Sequence, residues 1–286
     1  MTVHVEVMDL VSRLKAAEEA FVLATVVRTV SVTAAKAGAK AIIRPDGTIA
    51  AGWIGGGCAR GAVLKAAREA LADGEPRMVS VQPENLLAEL GVKPGENRDG
   101  VRFAENMCPS KGTMDVFVEP VLPHPSLVIL GASPVALSLA TQARQLGYHV
   151  TLAAPATDIT GAPDADMLID SFRLGELHQA KRFVVVSTQG KGDEAALRTA
   201  VATEAALKAS VGIDAAYHAF VGSRRKMAAL REKLIGEGIA ASALDRIKAP
   251  AGLDLGAITP EEIAMSILAE ITVERRRGQR AAGKGT

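Results

Sequence analysis

The chain has 286 residues, 48% of them hydrophobic, enough for about two domains that each bury a core. Its 33 Lys and Arg against 32 Asp and Glu leave a net charge of +1, so no overall field draws in nucleic acid or an anionic membrane, and any anion site must be local. Six Phe, two Tyr and one Trp are too few for a base-stacking platform, and two cysteines make neither a disulfide framework nor a four-thiolate zinc site, which points to the cytoplasm.

Met1–Leu10 has no basic region ahead of an apolar stretch, so no secretory signal is expected. Val5–Ala20 carries Val7, Leu10, Val11 and Leu14 at helical spacing, and Phe21–Val27 is a β-rich run. Ala39–Arg44 and Thr48–Ile54 flank Pro45-Asp46-Gly47, a hairpin signature, since the proline presets φ and the glycine tolerates a positive one. The second strand ends in Gly55-Gly56-Gly57-Cys58, and Ala59–Ala72 reads as a helix that stops at Asp73-Gly74. Met78–Val81 and Met114–Val121 are expected strands, with Pro83–Lys111 between them expected to be mostly a long loop.

Two prolines in Val121-Leu122-Pro123-His124-Pro125 favour an extended linker, so the boundary is placed there, with a first domain over 1–122 and a second over 126–277. Beyond the linker strands and helices alternate: strand 127–130, helix 135–146, strands 149–152 and 183–187, helix 193–208, strand 215–221, helix 223–235. Alternation of this length predicts a parallel sheet covered on both faces. The expected class is therefore α/β, a small N-terminal α+β domain followed by a Rossmann-like parallel-sheet domain and a C-terminal helix. That helix starts at Thr259-Pro260-Glu261-Glu262, with a cap, a proline at its first position and a glutamate at its third, and runs to about Arg277. The tail 278–286 is read as disordered, and the longest uncharged stretch, 125–143, is too interrupted for a membrane span.

Three segments carry candidate chemistry. Gly131-Ala132-Ser133-Pro134-Val135-Ala136 occupies the place of a dinucleotide fingerprint, but Ser133 replaces its middle glycine and Pro134 removes a donor. The acid expected about 20 residues on is also missing, because the sequence there is Ala153-Ala154-Pro155. The turn either faces a phosphate or cofactor or is purely structural. Gly55, Gly56, Gly57 and Cys58 lead from a strand into a helix, where bare amides suit an anion and a thiol would have its pKa lowered; a tight turn with a packed cysteine is the other reading. Gly222-Ser223-Arg224-Arg225-Lys226 sets three cations where the helix dipole disfavours them, which a bound anion would compensate, as would pairing with Glu232 or Asp245.

Together GWIGGGC (52–58), MDVFVEP (114–120), LVILGA (127–132), GSRRK (222–226) and IKAPAGLDLGAITPEEIAMSILAE (247–270) resemble the XdhC/CoxI family over nearly the whole chain. The chain departs from the family's Cys-Gly-Gly, having Cys108-Pro109-Ser110-Lys111-Gly112, and is similar to a divergent CoxI- or CoxF-type member. The resemblance implies a maturation factor, more a chaperone than an enzyme, that binds molybdenum cofactor as molybdopterin or its cytosine dinucleotide. It implies insertion of that cofactor into a molybdenum hydroxylase such as carbon monoxide or xanthine dehydrogenase. The apo hydroxylase is then a partner, with a cysteine desulfurase or a cofactor nucleotidyltransferase as further ones. Gly252 and Asp254 join the three segments as cofactor-facing positions, and a nucleotide or FAD is a second candidate ligand. An NAD(P)- or flavin-dependent oxidoreductase is the alternative. A homodimer is expected, because the C-terminal helix carries Ile263, Ile267, Leu268 and Ile271 on one side.

Overall fold

The computed structural model describes residues 2–109, 111–174, 182–211 and 217–282. The chain divides into two units between Pro123 and His124. The first opens with α1 (Thr2–Ala16), then β1 (Phe21–Val30), β2 (Lys40–Ile43), β3 (Ile49–Gly52), α2 (Gly57–Asp73) and β4 (Arg77–Gln82). It continues through α3 (Glu84–Leu90), β5 (Asn97–Arg98), β6 (Val101–Glu105) and β7 (Thr113–Val121). The strands form one mixed sheet in the order β3-β2-β1-β7-β4-β6-β5, parallel only between β4 and β6.

Strand alternation sends Val22, Ala24 and Val26 of β1, with Val116 and Val118 of β7, to one face, where Val63, Ala66, Ala67 and Ala70 of α2 cover them. On the other face Val7 and Leu14 of α1 pack on Phe21 and Ile42. Each buried Val, Leu, Ile or Phe among these contributes about 1.5–3 kcal/mol. The β2–β3 turn closes as its residues dictate, Asp46 Oδ1 accepting from the Thr48 amide at 2.8 Å.

Residues 83–111 depart from the expected loop: they hold α3, β5 and β6. The helix has one buried residue, Leu87, and every residue of β6 is half-buried, so neither writes a period into the sequence.

The second unit runs β8 (Ser126–Leu130), α4 (Pro134–Gln145), β9 (His149–Ala153), β10 (Met167–Ile169), β11 (Arg182–Val186), α5 (Asp193–Val211), β12 (Tyr217–Phe220), α6 (Arg224–Gly236), α7 (Ala241–Leu244), β13 (Ile247–Lys248) and α8 (Pro260–Ala282). Its sheet is wholly parallel in the order β10-β9-β8-β11-β12-β13, the doubly wound order of a Rossmann domain. Every residue of β8 and β11 is buried, as a sheet covered on both faces requires. Residues of α4 and α8 pack on one face and of α5 and α6 on the other. The short edge strands β10 and β13 and the helix α7 are too brief to show a pattern and were not expected.

The start of α8 is a capping box. Glu262 Oε2 accepts the Ile258 and Thr259 amides at 2.8 and 3.0 Å, and Thr259 Oγ1 accepts the Glu262 amide at 3.3 Å. Ile267, Leu268 and Ile271 lie in the core of their own unit, with Ile263 packed against it. The apolar face from which a dimer was expected is thus already covered. The helix continues past Arg277 to Ala282, and the thiol of Cys58, the residues 175–181 and 212–216, and the end of the expected tail at 283–286 lie outside the described residues.

Candidate functional site

In the second unit strand order reverses between β8 and β11, so the crevice at their carboxyl ends is where a doubly wound sheet receives a ligand. Gly131 leaves β8 with φ of 126°, and a Cβ there would stand 2.2 Å from the Ser187 carbonyl oxygen. Only glycine fits. Ala132 follows, partly covered, and Ser133 caps α4, its Oγ accepting the Ala136 amide at 3.1 Å and lying 2.6 Å from the Ser187 hydroxyl.

Across the sheet edge β12 leads through Gly222 to Ser223, whose Oγ accepts the Lys226 amide at 3.2 Å and so caps α6. The three successive cations then part. Lys226 turns back to Asp193 Oδ2 at 2.6 Å and lies 5.5 Å from the Phe220 ring centroid. Arg225 is exposed, and Arg224 borders a cleft of about 600 Å3. Of the cations at this turn, the structure gives the cleft Arg224, and Lys226 serves as an internal tie.

The opposite wall is the loop from Ala249 to Ala257, with Ile263 and Ser266 of α8. This loop is fixed from beneath. Gly252, with φ of 94°, donates its N–H to Glu270 Oε2 at 3.0 Å, and a Cβ on it would meet Ser266 Oγ at 2.3 Å. Leu253 donates to the Ser266 carbonyl at 3.2 Å and Ala251 to the Phe220 carbonyl at 3.0 Å. Glu270 is 6% exposed, also accepts from Tyr217 Oη at 2.5 Å, and pairs through its other oxygen with Lys248. The Lys248 ammonium donates in turn to the Gly252 carbonyl at 3.1 Å and borders the cleft. Burial pushes the Tyr217 phenol well above its ordinary range, keeping it a hydrogen-bond donor. Asp254 lines the mouth and is exposed. Gly222, Ser223, Arg224, Gly252 and Asp254 are therefore brought to one cleft, while Gly131–Ser133 stand at the crevice between β8 and β11.

Sequence reasoning missed Tyr217, Lys248 and Glu270. Lys248 and Glu270 stand at the two ends of the 247–270 stretch, where only the return of α8 onto the sheet could reveal their pairing.

In the first unit Gly55 and Gly57 adopt φ of 96° and 55°, and Gly56 heads α2 in extended conformation without a side-chain cap. Gly56 has no side chain with which to accept the first amides of α2. Val32, which bridges to Lys111, and Ala34, which would lie 3.8 Å from a Cβ on Gly55, bring this turn and the segment 106–109 with Lys111 to one end of the unit. That segment carries the exposed Cys108, whose amide donates to Asn106 Oδ1 at 3.0 Å.

Known proteins bear on this arrangement. The model of the XdhC Rossmann domain matches residues 127–271, and that of the XdhC and CoxI family matches residues 14–82. The uncharacterized protein YqeB of Escherichia coli strain K12 is 27% identical over 245 residues, or 82% of this chain, and the match spans 40% of that longer relative. A solved chain described as a xanthine dehydrogenase from Bacillus halodurans aligns over 94% of this chain and 96% of its own length, at 20% identity and a TM-score of 0.43. No helix among the described residues is long and apolar enough to cross a membrane.

Proposed function

Because the chain belongs to the XdhC and CoxI family, we propose that it is an accessory factor of a molybdenum hydroxylase, which carries molybdenum cofactor as cargo, assists its maturation and delivers it to the apo enzyme. The observation that carries this reading is the cleft between the start of α6 and the loop after β13. A pterin phosphate, with or without its cytosine nucleotide, is elongated, flat and anionic at one end. The cleft offers the Arg224 guanidinium for the phosphates and Pro250, Ala257 and Ile263 as apolar wall, in a volume of the usual size for a small-molecule site, while Lys248 is held by Glu270. The Glu270 and Tyr217 network holds one wall in place before the cargo arrives, which lowers the ordering cost of binding. In the first unit, the start of α2 with Cys58 is proposed as a sulfur-handling position for cofactor maturation, served by a cysteine desulfurase, with a cofactor nucleotidyltransferase as a separate partner that supplies the nucleotide form of the cargo. The protein acts in the cytoplasm as a homodimer and turns over no substrate of its own.

Purification from a host that makes the cofactor, followed by heat release and identification of the ligand by absorbance and mass, tests the reading. A released pterin is expected. A nicotinamide or flavin in its place would transfer the assignment to an oxidoreductase.

A further inference from the structure

The strand order of the second unit implies a dinucleotide at the crevice between β8 and β11, and the residues there do not fit one. We infer that this crevice is closed by the chain's own side chains, and that the Rossmann frame presents its ligand face instead at the carboxyl ends of β12 and β13.

A pyrophosphate at this position is held by amides at the start of the helix after the first strand. In α4 those donors are spent. Pro134 has no N–H, the Ser133 amide turns to the Ser187 carbonyl at 3.4 Å, and the Ala136 amide is taken by Ser133 Oγ. Val135 is left as the donor of the first turn.

The space is filled as well. Ser133, Ser187, Thr188 and Asp193 are 8%, 1%, 7% and 6% exposed, although all four are polar and stand where a ligand would need access. They satisfy one another. The Ser133 and Ser187 hydroxyls share a hydrogen bond, the Thr188 hydroxyl donates to Asp193 Oδ1, and Asp193 Oδ2 holds Lys226. A pyrophosphate entering here would meet a buried carboxylate and compete with it for its lysine. The second-strand end adds no ribose partner, since β9 runs into Ala154 and Pro155.

The same ties explain why the neighbouring cleft stays open. Lys226 is drawn toward α5 and away from the loop after β13, so the start of α6 meets that loop with Arg224. This inference does not depend on which cargo the cleft carries.

Hydrogen exchange of the full chain, read by mass spectrometry with NADH and separately with FAD at up to about 1 mM, tests it. The expected result is no added protection in peptides covering 131–137 and 187–193, with either no binding at all or protection confined to 221–224 and 248–257. Saturable binding that protects 131–137 or 187–193 would overturn the inference. The carrier assignment fails separately, on the identity of the ligand released from purified protein.

Discussion

Arg224, Arg225 and Lys226 are adjacent in sequence, but their surroundings give them different work. Lys226 is neutralised by Asp193, Arg225 is exposed, and Arg224 borders the cleft. Replacing Arg224 by Ala is expected to remove a charge-assisted contact of about 1.5–3 kcal/mol, a tenfold or greater loss of retained pterin, while Arg225→Ala costs less. Equilibrium dialysis of the two variants against released cofactor checks the order, and equal losses would contradict it. Glu270 is the residue on which the loop depends. Glu270→Ala leaves the Tyr217 hydroxyl without its acceptor and the Gly252 amide with only its longer contact to that hydroxyl at 3.4 Å, and is expected to destabilise the protein by about 1–3 kcal/mol in urea unfolding. A change below a few tenths of a kcal/mol would show that water replaces the carboxylate.

Among elements, α8 has its start written most fully in the sequence. The amides of Ile258 and Thr259 hold the Glu262 carboxyl below its ordinary value of 4.5. The folded state therefore binds that proton less readily than the unfolded chain, so the stabilising contribution is full above 4.5 and is lost as pH falls through the lower folded value. Glu262→Gln is expected to melt below the parent at about pH 6 and to converge with it as pH falls through the lowered folded value, as thermal unfolding across pH would show. The element α3 is the opposite case. Seven residues with one buried leucine give too short a run for periodicity, so its place between β4 and β6 was not legible.

At the scale of the whole molecule, the apolar stripe of α8 belongs to the core of its own unit and is not available to pair with a second copy. A homodimer needs other surface, and Leu255, Ile258 and Met265 are exposed at 53%, 83% and 53%. Sedimentation velocity at micromolar concentration is expected to show a dimer, and a single monomeric species would remove that claim. Ile267→Ala is expected to cost about 2–5 kcal/mol of stability with no change in sedimentation coefficient, since its side chain fills a core and not an interface.

What the sequence determined by itself was whatever local chemistry enforces. The hairpin turn at Asp46, the capped start of α8 and the alternation that makes the second sheet parallel each follow from residues a few positions apart, whose geometry is fixed by propensity and hydrogen bonding. The family resemblance rested on such local runs and holds for the same reason. Tertiary structure alone decided which cation faces the cleft, and it decided that Glu270 and Tyr217 hold the loop. It also turned the Ser133 amide and hydroxyl to Ser187, 54 residues away. Contacts across that distance depend on strand order and on which face of a helix returns to the sheet, and no short window of sequence carries either.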